Sequence, residues 1–361
     1  MALEPIILPP YKGSTLRGGF GYAFKRIVCA LKDRECPDCL LKEKCLYSYI
    51  FETPPPSDTK IMRKYKSAPH PFVIEPPSER RRGYKPGDEI NFGLILIGRA
   101  IDYLPYFIYT FDELGRIGIG KGKAKYELKD VRCDGQHIYD SKSKTLKSFS
   151  PSIISLPFDP ETEIPPLTRG DKEGLSNNSP LENSFSKSPT LEKSISNYHP
   201  LAKGGEAYGS PIGSEPRLIE EPTAHRGGFE DVQLTLDFLT PTRILYDGHL
   251  TLDLEFHILI RNLLRRLSLL YYFHCGGDPS EWDFKGIIEI AKDVKVKKQA
   301  LTWYDWERYS TRQDTRMKMG GFVGNISFEG NIEPFMQLIK AGEILHVGKG
   351  TSFGLGKYRI E

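Results

Sequence analysis

The stretch H-V-G-K-G-T-S-F-G-L-G-K-Y-R-I at residues 346–360 holds four glycines, two lysines and an arginine. Because glycine has no side chain, the backbone N–H groups of such a loop can approach a large anion closely. Residues 335–342 are predicted to form a short helix and 357–360 a strand, so the glycine loop follows a helix. Nucleotide P-loops and dinucleotide fingerprints instead follow a strand and open a helix, which argues against both. A polyanion lying along a surface fits better, and RNA is the leading candidate.

A second glycine and lysine stretch, G-R-I-G-I-G-K-G-K-A-K-Y-E-L at residues 115–128, lies in the first half of the chain. Its G-x-G-K pattern and following tyrosine echo residues 354–358, which indicates two copies of one unit. Between them, residues 168–228 are rich in Ser, Pro, Gly and Asn, and bury too little apolar surface to offset the entropy of ordering. We therefore expect a domain at 1–150, a flexible insert at 151–228 and a second domain at 229–361.

The length, composition and charge of the chain limit which classes of protein it can belong to. The 361 residues suit two domains, and 27% charged with 39% hydrophobic residues is a globular composition. A formal net charge of +3 is too small to indicate nucleic-acid binding by itself, so any basic footprint must be local. No apolar run approaches the roughly 18 residues of a membrane span, and the N-terminus lacks the pattern of a signal peptide. We expect a cytoplasmic protein with no membrane contact.

A glycine-rich stretch, K-G-S-T-L-R-G-G-F-G at residues 12–21, is predicted to lead into a helix over 22–31. The apolar residues of that helix recur at helical spacing, which leaves Tyr22, Lys25 and Arg26 nearer the other face. A face that combines a tyrosine with two cations suits contact with RNA. The alternative is an ordinary solvated helix surface.

Four of the six cysteines, Cys29, Cys36, Cys39 and Cys45, are packed into a short segment that includes one C-x-x-C pair. This clustering is unlike a secreted disulfide scaffold and suits a metal site. Four thiolates can surround one tetrahedral zinc ion and leave no open position for water, so the expected role is structural. An iron–sulfur cluster and simply reduced thiols remain alternatives.

These features together resemble a family, the CRISPR repeat-processing endoribonucleases of the RAMP superfamily. The resemblance rests on residues 12–21, on the cysteine cluster, on R-Y-S-T-R-Q at 308–313 and on the terminal glycine stretch. It implies an α+β fold of two tandem ferredoxin-like, RRM-related domains. It also implies metal-independent cleavage of precursor CRISPR RNA within each repeat, a 2′,3′-cyclic phosphate end on one fragment, and retention of the guide product.

The implied partners are CRISPR repeat RNA and, as further candidates, other CRISPR-associated subunits; no cofactor is expected for catalysis. Planar and cationic donors suit phosphates and base edges. The predicted RNA contacts are Lys12, Arg17, Lys121, Lys123, Arg308, Arg312, Gln313, Gly348, Lys349, Gly354, Gly356 and Lys357.

The implied cleavage needs a base for the 2′-hydroxyl, cations for the phosphorane and an acid for the leaving 5′-oxygen. In the family the base is often a histidine on the first helix, where this chain has Tyr22 with Lys25 and Arg26. Tyrosine is a poor base at neutral pH unless cationic neighbours favour its phenolate. His346 has the more suitable side chain, since imidazole titrates near neutral pH, but it could equally hold the loop in place.

Two other functions remain open from the sequence. The missing helix histidine keeps a non-cleaving RNA-binding subunit of an interference complex in contention. A plain RRM-like module unrelated to CRISPR is disfavoured by the terminal glycine stretch.

Overall fold

The computed structural model describes residues 1–31, 35–62, 65, 67–147, 232–310 and 315–361. Contacts within the chain group Met1–Pro165 with Phe229–Glu361 in one compact unit, which contains everything described below. The domain boundaries predicted at 150 and 228, and the predicted flexible insert, lie outside the described residues.

The described N-terminal half contains two α-helices and seven short strands. In chain order they are β1 (Ile6–Ile7), α1 (Gly13–Val28), β2 (Phe72–Glu75), β3 (Gly83–Tyr84), β4 (Gly93–Leu96), α2 (Leu104–Ile117), β5 (Asp130–Cys133), β6 (Gln136–Asp140) and β7 (Thr145–Leu146). Strand β1 pairs with β3 and β2 with β4, while β5, β6 and β7 form a separate sheet, and all of these pairings are antiparallel.

The described C-terminal half contains three α-helices and eight strands. They are β8 (Val232–Thr242), β9 (Leu245–Tyr246), β10 (His249–Leu250), α3 (Phe256–His274), α4 (Phe284–Ala291), β11 (Lys295–Tyr304), β12 (Glu307–Ser310), β13 (Thr315–Lys318), β14 (Gly321–Gly330), α5 (Met336–Leu345) and β15 (Tyr358–Ile360).

Four strands of the C-terminal half form one antiparallel sheet in the order β11-β14-β8-β15. Helix α3 joins β8 to β11 and α5 joins β14 to β15, which is the strand order and connectivity of a ferredoxin-like domain. One sheet face buries Leu236, Phe238 and Ile326 in a core shared with Leu263 of α3 and Ile339 of α5.

In the N-terminal half the elements run β1-α1-β2-β3-β4-α2, with three strands between the helices where a ferredoxin-like unit has two, and the first four strands form two separate pairs, so a ferredoxin-like fold of this half stays a prediction. The α+β prediction is therefore confirmed, and the ferredoxin-like topology is complete in the C-terminal half.

Helix α1 begins nine residues before the predicted start at Tyr22, so most of the glycine-rich stretch is helical. Close packing explains why glycines occur in this helix: a Cβ on Gly13 would lie 1.9 Å from the Phe353 carbonyl oxygen. Side chains of Leu16, Phe20 and Phe24 are buried in the N-terminal core. The glycines therefore bring the start of α1 against the terminal loop.

Candidate functional site

The terminal loop between α5 and β15 folds against its own chain. Gly356 has a φ of +76°, and a Cβ on it would lie 1.8 Å from the Val347 carbonyl oxygen. The loop amides of Val347, Lys349 and Gly356 donate to carbonyl oxygens of Gly356, Arg243 and Pro241 at 2.9, 2.9 and 3.2 Å. These three N–H groups donate within the protein, so they are not free to bind an anion as the sequence predicted. At Gly356 the absence of a side chain instead allows close backbone packing.

His346 is fully buried, and both of its ring nitrogens are engaged. Nδ1 lies 3.0 Å from the Leu355 carbonyl oxygen and Nε2 lies 2.9 Å from Oε1 of Glu75 on β2. Burial lowers the pKa of His346, and the Glu75 carboxylate opposes that shift. Each ring nitrogen is therefore committed to an oxygen atom within the protein.

With both nitrogens engaged and no exposed surface, the His346 ring is not placed to take a proton from a 2′-hydroxyl. Lys357 Nζ also contacts Oε1 of Glu75, at 2.8 Å. This environment argues against the predicted acid–base role of His346 and favours the alternative that it holds the loop. The carboxylate ties the terminal loop to strand β2.

Arg17 lies where helix α1 meets the terminal loop. Its Nε donates to Ser352 Oγ at 2.9 Å, and its Nη2 lies 2.6 Å from His70 Nε2. The guanidinium also lies over the rings of Phe51 and Phe353, 4.4 Å from each centroid. These contacts fix the half-buried cation in one orientation.

His70 holds Arg17 as a neutral imidazole. Since a guanidinium only donates, Nε2 must accept, which leaves the proton on Nδ1, 3.1 Å from Thr53 Oγ1. Burial and then the Arg17 charge lower the pKa of His70 well below its ordinary value. The ring stacks with Phe51 and Phe72. Arg17 therefore has a positioning partner that the sequence analysis did not identify.

Arg308 on β12 approaches the same site from the C-terminal half. Its guanidinium carbon lies 4.7 Å from the Phe353 ring centroid, so this ring is contacted by Arg308 and Arg17. Among the residues that the structure describes, the buried Nε of Arg308 has no hydrogen-bond partner. Arg312 and Gln313, which were predicted to act beside it, lie outside the described residues.

The exposed face of α1 is as predicted. Tyr22 is 56% exposed, Arg26 is exposed and Lys25 is half-buried. Arg26 lies 5.8 Å from the Tyr22 ring centroid, and Lys25 lies 5.8 Å from that of Tyr47. At about 100° per residue, Tyr22 and Lys25 share a face with Gly18. Their roles in catalysis remain predictions.

The other lysines predicted to contact RNA differ in solvent exposure. Lys121, Lys123 and Lys349 are exposed. Lys12 is fully buried, and its Nζ donates to carbonyl oxygens of Pro10 at 3.3 Å and Glu79 at 2.6 Å. The prediction of an RNA contact by Lys12 is therefore corrected, because the ammonium supports the chain segment before α1.

The four clustered cysteines are half-buried and are free thiols. As they stand in the described residues, no three His, Cys, Asp or Glu side chains are arranged to hold a metal ion, so the zinc site predicted at these cysteines stays a prediction. Across those same parts of the chain, no helix is both long and apolar enough to cross a membrane.

Comparisons with known proteins give one family match in each half of the chain. Residues 236–358 match the family of the CRISPR-associated endoribonuclease Cas6, and residues 1–151 match the AF_1859 N-terminal domain. An uncharacterised protein of Archaeoglobus fulgidus is 28% identical over 146 residues, which are 40% of this chain and 48% of that protein. The match thus spans about half the length of this relative.

Solved structures of Cas6 proteins are also similar. Thermus thermophilus Cas6 (TTHB231) is 17% identical over 36% of this chain and 53% of that one, with a TM-score of 0.30. Its product complex is 13% identical over 99% of this chain and 97% of that one, with a TM-score of 0.48. A Cas6-RT-Cas1–Cas2 complex is 19% identical over 37% of this chain and 14% of that one, with a TM-score of 0.28.

The ferredoxin-like topology, the terminal glycine loop and the family match fall on the same residues. The chain is therefore similar to the CRISPR-associated endoribonuclease Cas6 family over residues 236–358 and to the AF_1859 N-terminal domain over residues 1–151.

Proposed function

We propose that this protein is an endoribonuclease that cleaves precursor CRISPR RNA within its repeats, without a metal ion, and retains the guide product. The observation that carries the proposal is the convergence of α1 and the terminal loop on Arg17, in a chain whose residues 236–358 match the Cas6 family. A fixed guanidinium beside an exposed helix face is a suitable place for a scissile phosphate.

In the proposed reaction, the 2′-oxygen loses its proton and attacks the adjacent phosphorus, and the bond from phosphorus to the 5′-oxygen breaks. Arg17 stabilises the negative charge of the phosphorane, with Lys25 and Arg26 as further cations. Tyr22, whose side chain is exposed, is assigned to give its phenolic proton to the leaving 5′-oxygen, while a water molecule takes the proton of the 2′-hydroxyl and solvent later reprotonates the phenolate. His70 is assigned to positioning, since its Nε2 is committed to Arg17.

The cleavage chemistry is tested with labelled CRISPR repeat RNA of the source organism, in protein excess and in EDTA. We expect one cut in each repeat and a 2′,3′-cyclic phosphate end on the upstream fragment. RNA with a 2′-deoxynucleotide at the cut site is the matched control and should stay intact. A cut that requires added Mg²⁺, or a cut in the deoxy control, would contradict attack by the 2′-hydroxyl.

Residue roles are tested with two kinds of variant. Tyr22→Phe and Arg17→Ala should slow single-turnover cleavage at saturating protein by about a hundredfold or more. Lys349→Ala, at an exposed lysine, should instead weaken RNA binding and leave the saturated rate near that of wild type. A wild-type rate in Tyr22→Phe would remove Tyr22 from the mechanism and leave Lys25 and Arg26 as electrostatic catalysts.

A second candidate function is a non-cleaving RNA-binding subunit that works with other CRISPR-associated proteins. The specific observation in its favour is that His346 is buried with both nitrogens engaged, while the exposed α1 face carries tyrosine and cations. Tight binding of repeat RNA without a cut, under the conditions above, would favour this function over the endoribonuclease.

A further inference from the structure

The four clustered cysteines come from three local structures that meet at the end of helix α1. Cys29 is the first residue after the helix, and its amide donates to the Lys25 carbonyl oxygen at 3.0 Å. Cys36 opens a tight turn that continues through Pro37 and Asp38, and the Cys39 amide donates back to the Cys36 carbonyl oxygen at 3.3 Å. Such a turn places two sulfurs of a C-x-x-C pair on the same side.

The fourth cysteine begins the next helical segment. The carbonyl oxygen of Cys45 accepts from the Tyr49 amide at 3.0 Å, at the start of the turn over Ser48–Glu52. Cys45 is therefore held by regular backbone hydrogen bonds, as Cys29 is at the other side of the cluster.

All four cysteines line one small cavity of about 10 Å³. That volume is close to what a single water-sized sphere occupies. Leu31, Lys42 and Ser48 complete the wall. A cavity of this size that all four clustered cysteines line is the observation that points to a single bound ion.

We propose that Cys29, Cys36, Cys39 and Cys45 bind one zinc ion, which closes the end of helix α1 onto the two turns that follow. Zinc in a structural site takes four thiolates in a tetrahedron at about 2.3 Å from each sulfur. The four cysteines line one cavity but are not yet arranged to hold an ion, so ligation requires their side chains to change rotamer.

Charge supports the same assignment. Four thiolates around Zn²⁺ carry a net charge of about −2, which nearby cations must offset. Lys42 lines the cavity, and its Nζ lies 3.3 Å from the Pro37 carbonyl oxygen inside the C-x-x-C turn. Lys25 lies one helical turn before Cys29 on α1.

The ion would also organise the face of α1 that carries Tyr22, Lys25 and Arg26. Those residues occupy the last two turns of the helix, directly before Cys29. Helix ends fray unless neighbouring groups fix them. Zinc at this end is therefore expected to keep the exposed face in register with Tyr47, which Lys25 contacts.

The test is the metal content of full-length protein purified without chelators and without an affinity tag that binds metal. Elemental analysis should find about one zinc per chain and no comparable iron. Cys36→Ser/Cys39→Ser should contain at least tenfold less zinc and melt at a lower temperature, because four-sulfur sites couple metal binding to folding. Cys133→Ser/Cys275→Ser is the matched control and should keep both the zinc and the melting temperature.

Thiol labelling keeps the proposal testable if the double variant fails to fold. In native wild-type protein, alkylation followed by mass spectrometry should modify Cys133 and Cys275 and spare the four cluster cysteines until a strong chelator releases zinc. Fresh wild-type protein without zinc, protein with iron and visible absorption in its place, or equal labelling of all six thiols before and after chelation would each overturn the proposal.

Discussion

Arg17 and His346 show how a single residue can have a role that its type does not reveal. In the sequence, Arg17 is one basic residue among glycines, but in the structure it contacts Ser352, His70 and two aromatic rings. His346 has the side chain expected of a general base, yet it is enclosed between Leu355 and Glu75. The burial and hydrogen-bond partners of a residue therefore indicate its role better than its residue type does.

His346→Ala is predicted to act on stability more than on chemistry. Truncating this fully buried ring leaves a cavity and removes the hydrogen-bond partner of the Leu355 carbonyl oxygen, which together typically cost about 2 kcal/mol or more, so the variant should unfold at lower denaturant concentration. Tyr22→Phe is the matched control, because Tyr22 is exposed and its change should leave stability within about 0.5 kcal/mol of wild type. Urea unfolding and single-turnover cleavage at a permissive temperature measure the two effects separately.

The opposite pattern would restore the catalytic assignment of His346. If His346→Ala unfolded like wild type but cleaved RNA a hundredfold more slowly, the buried imidazole would have to reach substrate through a rearrangement of the loop.

Glu75 makes the contact between β2 and the terminal loop dependent on pH. Burial alone would raise its pKa, but hydrogen bonds from His346 and Lys357 outweigh burial and lower it to about 2. A carboxyl with a depressed pKa stabilises the folded state above the pKa of the unfolded chain, and that contribution is lost as the pH falls. The full shift corresponds to about 3 kcal/mol, which solvent screening of this partly exposed group reduces to roughly 1–2 kcal/mol.

Glu75→Gln should therefore be less stable than wild type at neutral pH but lose less stability on acidification. Urea unfolding at pH 4.5 and at pH 3 measures the difference, which should be about 1 kcal/mol larger in wild type. Equal losses in the two proteins would show that Glu75 is not the group that couples the loop to pH.

At the scale of elements, the structure requires glycine at Gly356 of the terminal loop but not at Gly18 of helix α1. Gly356 adopts a φ of +76° against the Val347 carbonyl oxygen, whereas a Cβ on Gly18 would meet nothing within 4 Å. Gly356→Ala should destabilise the protein by about 2 kcal/mol or more through backbone strain and the close contact. Gly18→Ala should stabilise α1 by up to about 1 kcal/mol, because alanine is the better helix former.

The same pair of variants tests the proposed RNA face. Gly18 shares a helix face with Tyr22 and Lys25, so an added methyl group there should weaken RNA binding if the RNA backbone passes closely. Higher thermal stability with a higher dissociation constant is the expected result for Gly18→Ala. Unchanged affinity would place the RNA elsewhere on α1.

Elements with clear periodicity could be predicted from the sequence, and those governed by tertiary contact could not. The strict alternation from Val232 predicted strand β8, and the amphipathic pattern from Leu254 predicted α3 to within a few residues. The start of α1 was placed nine residues late, because glycines normally indicate a loop. In this helix Gly13 permits contact with Phe353, which lies more than 300 residues further along the chain, while Gly19 and Gly21 pack closely against Leu114 and Phe51.

At the scale of the whole molecule, the site joins segments that are remote in sequence. His346 and Glu75 are 271 positions apart, and Arg17 and Ser352 are 335 apart. The glycine stretch and the α1 cations could be found from local patterns, but His70 lies in S-A-P-H-P at residues 67–71, which carries no local signal of function. Lys12 was misassigned for the same reason, since its charge was visible and its burial was not.

The remaining prediction concerns residues 168–228, which lie between the two halves that form the site. Their composition offers no core and no coherent basic stripe, so they are not expected to contribute to RNA affinity. Replacing them with a short Gly/Ser linker should leave both the dissociation constant for repeat RNA and the melting temperature close to those of the full chain. A linker of equal length but unrelated polar sequence is the matched control for chain connectivity. If the short linker weakens RNA binding and the equal-length one does not, the halves need a long connection. If both weaken binding tenfold or more, the native segment itself contacts RNA and must order on binding, which its low apolar content makes costly.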